Sequence, residues 1–277
     1  MPRPFFIAEI GINANGKLED AKKLIDMAAS CGCNAVKFQK RDIDTVYTKE
    51  LLDQPRESPW GTTQRSQKQG LEFDDNAYNV IDEYCRDKGI YWFASAWDLK
   101  SQEFLKKFNL PFNKIASAMI TYVPLLEMVA SEKKHTFIST AMCNFEDIDK
   151  AVKIFRKANC SYTLMHCVGT YPCADEDCNL LMIKTLKERY KCPVGYSSHS
   201  PGIFSIPLAV MLGAEAIEVH ITLDRSSYGS DQSSSLERRG LELAIRDCAS
   251  IDKYLGRGLK DFSDKEKAVA KKLRYWL

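Results

Sequence analysis

No stretch of the 277 residues offers an apolar run long enough to cross a bilayer, for which a helix needs about 20 consecutive apolar positions. The opening run Phe5, Phe6, Ile7, Ala8 is cut by Glu9 before it can form the apolar core of a secretion signal. An excess of charge is missing as well. The 39 Lys and Arg residues face 37 Asp and Glu, a formal net charge of +2, which gives nucleic acid and anionic membrane surfaces little to hold. A glycine-rich dinucleotide turn is also lacking, because Gly11 and Gly16 stand alone after the first apolar run. Cysteine is not scarce, with ten residues, but they are scattered, often beside apolar neighbours as at Cys85, Cys143, Cys167 and Cys248. Neither Cys31 with Cys33 nor Cys173 with Cys178 has a second matched pair, so reduced thiols are expected and a structural zinc site is not. The expectation is a soluble, cytoplasmic protein with neither a nucleic-acid nor a membrane partner.

What is present is a rhythm. Short runs rich in Val, Ile, Phe and Tyr alternate with longer segments of helical period. Eight of them read as strands, at residues 5–12, 35–39, 91–96, 113–117, 136–140, 162–167, 194–198 and 216–222, with helices such as 18–30, 145–157 and 236–255 between or after them. Eight β-then-α units over roughly 260 residues match an α/β (β/α)8 TIM barrel, here a single domain over residues 1–262. A doubly wound sheet would need fewer strands and a glycine-rich first turn. Residues 40–74, with Pro55, Pro59, Gly61 and Gly70, form an unusually long connection. It is read as a lid over the catalytic face or as an inert insertion. Residues 263–277 read as a basic amphipathic helix with Ala268, Val269, Leu273 and Trp276 on its apolar side. That helix is expected to pack on the barrel or on a partner chain, the latter making a homodimer.

Chemistry on such barrels gathers at the C-terminal ends of the strands, where the following loops converge. The residues there are Glu9, Lys37, Gln39, Ser95, Lys114, Ser117, Ser139, Thr140, His166, Ser197, His199, Glu218 and His220. Barrel interiors favour branched aliphatics, so this many polar groups imply a polar pocket. His199 and His220 end neighbouring strands, and Glu9 adjoins them when the barrel closes. Two imidazoles with a nearby carboxylate and open positions suit Mn²⁺, Fe²⁺, Co²⁺ or Zn²⁺ better than Mg²⁺, which prefers oxygen ligands. The alternative for each histidine is a hydrogen-bonded place in the core. His166 reads as a packing or supporting residue, and His135, at the start of a strand, as functionally silent. Lys37 and Lys114 would enter the same barrel, where two confined ammonium groups need anions. A phosphate suits them, with Ser95, Ser117 and Ser197 as neutral donors. Small residues chosen for close packing are the plain alternative for each serine.

These residues stand in motifs that resemble the sialic acid (N-acetylneuraminate) synthases. The resemblance runs from Phe6-Ile-Ala-Glu-Ile-Gly-Ile-Asn13 through Val36-Lys-Phe-Gln39, Lys114-Ile-Ala-Ser117, Ile138-Ser-Thr140 and Met165-His-Cys167. It continues with Tyr171-Pro172, Gly195-Tyr-Ser-Ser-His-Ser200 and Glu218-Val-His-Ile-Thr-Leu-Asp224 to Gly229-Ser-Asp-Gln232. It implies a barrel that condenses phosphoenolpyruvate with an N-acylated, amino-sugar-derived aldose such as N-acetylmannosamine. Mn²⁺, or else Mg²⁺, Co²⁺ or Zn²⁺, would sit at His199 and His220, with Glu9 close by. The phosphoenolpyruvate side would comprise Lys37, Ser95, Lys114, Ser117 and Ser197, while Gln39, Tyr171 and Asp231 would face the sugar. The chain departs from the family in having Asn13-Ala-Asn-Gly16 where members usually have Asn-His-Asn-Gly. It has Met119 where an acidic residue is frequent and Gly169 where a polar side chain is common. It is expected to lack the antifreeze-like C-terminal domain of typical synthases.

The implied reaction expels phosphate by C–O cleavage and leaves a nonulosonic 2-keto acid. Glu9 is expected to serve the attacking water or the acceptor hydroxyl. Two other readings stand beside it: a metal-dependent keto-acid aldolase that releases no phosphate, and an inactive barrel used as a binding protein.

Overall fold

The structure is a computed structural model that describes residues 3–276. Residues 1, 2 and 277, at the limits of the two expected segments, lie outside the described residues. Its strands are β1 (Phe5–Gly11), β2 (Ala35–Lys40), β3 (Pro55–Ser58), β4 (Gly61–Thr63), β5 (Tyr91–Ala96), β6 (Phe112–Ile115), β7 (His135–Ser139), β8 (Tyr162–His166), β9 (Val194–Ser198) and β10 (Ala216–His220). Eight of these close a parallel barrel in the order β1-β10-β9-β8-β7-β6-β5-β2, and β3 and β4 form a separate antiparallel hairpin. This is the expected TIM-type barrel. The sequence reading places several strand ends too late: Ser117, for one, lies in a 3₁₀ turn over Ser117–Met119.

The barrel helices cover the strands by burying one stripe each. Helix Phe145–Lys157 shows the logic. Ile148, Ala151, Val152 and Phe155 recur at helical spacing and are buried, each large apolar side chain contributing about 1.5–3 kcal/mol. Asn144 caps the start by accepting from the Asp147 N–H, and Asp147 answers with a bond back to Asn144. Glu146 and Asp147 in the first turn and Arg156 and Lys157 in the last complement the helix dipole. Asp74 and Asp98 cap two other barrel helices, each accepting one backbone N–H of its own helix, from Ala77 and Ser101.

The N-terminal end of the barrel interior is closed by aromatic rings. Phe5 meets Phe112 edge-on at 5.2 Å, and Phe93 stacks on Phe137 at 5.7 Å between ring centroids. His135 joins this cluster 5.2 Å from Phe137, its ring nitrogens bonded to Ser161 and Thr163. That placement, at the end opposite the strand termini, keeps it away from the polar pocket.

The long connection after β2 is folded and docked. It holds two single-turn helices, the β3–β4 hairpin and helix Gln64–Leu71. Trp60 at the hairpin tip packs edge-on against Tyr228 at 5.6 Å. A Cβ at Gly16 would fall 2.0 Å from the Gly70 carbonyl oxygen, and one at Gly70 would fall 2.1 Å from Trp60 Cγ. Only glycines let these segments approach so closely. The tail forms a helix over Asp264–Leu273, yet Val269, Leu273 and Trp276 stay exposed. The barrel does not bury its apolar face. Among the described residues no helix is long and apolar enough to cross a membrane.

Candidate active site

Parallel pairing aligns the polar strand ends. Glu9 pairs with His220 on one side and Lys37 on the other. Gln39 lies opposite Ser95, Ser95 opposite Lys114, and Glu218 opposite Ser197. Successive side chains on a strand face opposite ways, so residues two apart share the interior face. The result is a cavity of about 230 Å³ lined by Glu9, Lys37, Gln39, Ser95, Lys114, Ser117, Tyr171, Ser197, His199 and His220, among others. Ten of the eleven residues expected at the site therefore meet there. The eleventh, Asp231, stands beside it, its Oδ2 3.6 Å from His220 Nδ1.

The two lysines do not wait for a ligand to balance them. Lys37 Nζ lies 2.6 Å from Glu9 Oε2 and 3.6 Å from Glu218 Oε1. Lys114 Nζ donates to Glu218 Oε2 at 2.8 Å, and Ser197 Oγ donates to Glu218 Oε1 at 3.1 Å. All four ionisable groups are buried. Burial works against the Glu218 carboxylate, but Lys114 and Lys37 outweigh it and hold its pKa at about 2. Burial likewise pulls Lys37 down, and the carboxylates of Glu218 and Glu9 overcome it and raise its pKa. Glu218 is the residue that strand-end reasoning named without giving it a role. Its signal was its position two residues before His220, on the same face of the same strand.

The imidazoles form a second cluster. The rings of His199 and His220 are 5.4 Å apart between centroids. The Tyr171 ring lies tilted against His199 with 4.0 Å between centroids, and its hydroxyl lies 2.8 Å from His199 Nε2. The expected sugar-facing tyrosine thus occupies the outer nitrogen of a histidine. His199 Nδ1 faces the Val168 carbonyl, a contact that requires N–H at Nδ1 and leaves the Nε2 lone pair directed outward. Burial, with the neighbouring His220, lowers the His199 pKa to about 4, so the ring is neutral and its Nε2 accepts the Tyr171 hydroxyl, which a metal ion would have to displace. His220 Nδ1 is buried with no hydrogen-bond partner. Among the described residues no group of three or more His, Cys, Asp or Glu side chains is placed to hold a metal ion together. The two imidazoles could supply two ligands of an open site, with the remaining positions left to substrate oxygens. His166 is outside this cluster, bonded through Nε2 to the Cys178 carbonyl at 2.8 Å and stacked on Tyr196.

Ser117 Oγ accepts the Ala141 N–H at 3.1 Å, which fixes the hydroxyl at the cavity wall. Gly169 explains one departure from the family pattern. A Cβ there would lie 2.9 Å from Met142 Cγ, so Met142 takes the space that a side chain at position 169 would use.

The model of the NeuB family matches residues 24–260 of this chain. The N-acetylneuraminate-9-phosphate synthase of Homo sapiens is 35% identical over 97% of this chain and 76% of that protein. The N,N'-diacetyllegionaminic acid synthase of Legionella pneumophila is 34% identical over 95% of this chain and 76% of its own length. Among solved structures, the N-acetylneuraminic acid (sialic acid) synthetase of Leptospira borgpetersenii superposes with a TM-score of 0.83. It is 32% identical, with 98% of this chain and 92% of that one covered.

Proposed function

This chain belongs to the NeuB family, and from that premise we propose that it joins phosphoenolpyruvate to an N-acylated aldose of the mannosamine type in a metal-dependent reaction. It is a phosphoenolpyruvate-using transferase, and its product is a nonulosonic acid. The observation that carries the proposal is the meeting of Lys37, Lys114, Ser95, Ser117 and Ser197 with His199 and His220 in one cavity.

C3 of phosphoenolpyruvate forms the new C–C bond to the aldehyde carbon of the open-chain sugar. Water adds at C2, and the C2–O bond to phosphate breaks, so the products are a 2-keto acid longer by three carbons and inorganic phosphate. Lys37 and Lys114 hold the phosphate while charge builds on the departing oxygen, and the serine hydroxyls supply neutral donors around it. Glu9, 2.6 Å from Lys37 and bonded through its other oxygen to Gln39, orients the acceptor hydroxyl or takes the proton of the attacking water. Tyr171 and Asp231 flank the imidazoles on the acceptor side. His199 and His220 would hold Mn²⁺, which when bound supplies Lewis-acid polarisation of the aldehyde oxygen. Charge balance favours a cation here, because Glu9 and Glu218 already neutralise both lysines before an anionic substrate enters.

Phosphate release from phosphoenolpyruvate tests the reading. It is measured with Mn²⁺ and, in turn, N-acetylmannosamine, its 6-phosphate and a diacetamido deoxyhexose. Acceptor-dependent phosphate that disappears with a chelator and returns with Mn²⁺ is the expected result. No phosphate from these mixtures, with pyruvate appearing only when a nonulosonic keto acid is supplied in place of phosphoenolpyruvate and sugar, would replace it with the aldolase reading.

A further inference from the structure

The long connection after β2 ends on a carboxylate that reaches back to that strand. Glu72 accepts the backbone N–H of Arg41 and its Nη1, each at 3.2 Å. The Arg41 side chain is only 10% exposed. Its guanidinium lies 4.4 Å from the Trp97 ring, which forms part of the cavity wall. The other arm of the guanidinium, Nη2, donates to Gln39 Oε1. That contact decides which way the Gln39 amide faces: its oxygen turns to Arg41 and its nitrogen donates to Glu9 Oε1 at 2.7 Å. Glu9 is thereby held on both oxygens, by a neutral amide on the outside and by the Lys37 ammonium on the inside.

Two further features show that the contact is built. The β1–β2 register slips between Glu9 and Gly11, and Gly11 has φ +52° with a virtual Cβ only 2.8 Å from Glu9 Oε1 and 3.1 Å from Gln39 Nε2. A bulge carrying a glycine makes the room in which amide and carboxylate meet. Arg41 Nε, meanwhile, is buried with no hydrogen-bond partner. The guanidinium leaves one donor unused while its two arms hold Glu72 and Gln39.

We propose that Arg41 is a positioning residue that, clamped by Glu72 and stacked on Trp97, locks the Gln39 amide so that Glu9 presents a fixed carboxylate to the acceptor. This rests on the reading that Glu9 serves the acceptor half of the reaction. Without Arg41 the amide is free to turn its oxygen toward Glu9, and two acceptors facing each other part. Glu9 then swings onto Lys37 alone. Through Glu72 the docking of the long connection and the geometry of Glu9 become one event.

The test uses the full chain loaded with Mn²⁺ and the acceptor that supports phosphate release. Arg41→Met lowers kcat tenfold to about a hundredfold, with the KM for phosphoenolpyruvate unchanged within twofold. Gln39→Leu has a similar effect, and adding Arg41→Met to it costs nothing more. Multiplying losses in the double variant, an unchanged kcat, or full activity in Arg41→Lys, which keeps the charge but not the fork, would each overturn the proposal. Should Arg41→Met fold poorly, Glu72→Gln takes its place, with the same split between kcat and KM expected. A crystal structure of the variant decides independently of turnover: Gln39 Nε2 is expected to leave Glu9, and finding it still bonded there refutes the lock. Wild-type protein that releases no phosphate would instead refute the proposed reaction, leaving the crystallographic result to judge Arg41.

Discussion

The two ends of the barrel interior are built from the same strands and behave as opposites. β5 carries Phe93 and, two residues on, Ser95; β6 carries Phe112 and then Lys114; β7 carries Phe137 and then Ser139. Within one step of the two-residue repeat the lining changes from aromatic rings to groups that line the polar cavity. The aromatic end gains stability by excluding water. At the other end, buried charge is tolerated because each ion has a partner, an arrangement that contributes little net stability and a great deal of chemistry. The lesson is that one sheet can separate stability from function by position along the strand.

The most severe test of that division is His220→Ala. It should reduce phosphate release on the order of 10³-fold or more while far-UV circular dichroism stays unchanged, since the ring adds little apolar burial; retained activity in chelator-treated buffer would break the metal assignment. Glu218→Gln comes next. It removes the sole carboxylate within ion-pair distance of Lys114 among the described residues, so a stability loss of about 3–5 kcal/mol in denaturant titrations should accompany lost turnover. Phe93→Ala should cost a similar ~3–5 kcal/mol but leave kcat and KM of the folded fraction unaltered. A change in KM there would mean that the two ends are coupled.

The smallest effect concerns pH. Burial lowers the pKa of His135 below its ordinary 6.5, so below that value the unfolded chain binds more protons than the folded one and stability falls on acidification. His166 and His199 share this direction. His135→Gln should therefore remove part of the slope, at most ~1.4 kcal/mol per pH unit for one proton. Glu218, held at about 2 from an ordinary 4.5, supplies a contribution lost only in the more acidic window between those values. Stability curves of the two variants, measured between pH 2 and 8, should flatten in different places.

Much of the site was legible in advance because strand ends in such a barrel share one address. Lys37, Lys114, Ser197, His199 and His220 could be placed there from spacing alone. The partners could not. Glu218 bonds to Lys114, 104 residues away, and no local pattern announces that pairing. The aromatic plug escaped notice because Phe93, Phe112 and Phe137 look like ordinary strand residues until closure brings them together. Arg41 is silent in the sequence for a related reason, since its role depends on Glu72 returning from 31 positions away. The tail is a different case: Val269, Leu273 and Trp276 have the spacing of an apolar face and stay exposed on this chain, and periodicity says only that a face exists and not what covers it.

Chain order by itself determined the alternation of strands and helices, the caps at Asn144, Asp74 and Asp98, and the set of polar groups delivered to one end of the barrel, because each is written in periods and neighbours a few residues apart. Tertiary structure alone decided how those groups share charge, which nitrogen of His199 faces outward, and which way the Gln39 amide turns. Such choices are made between atoms far apart along the chain, where the energy depends on distance and burial and not on spacing.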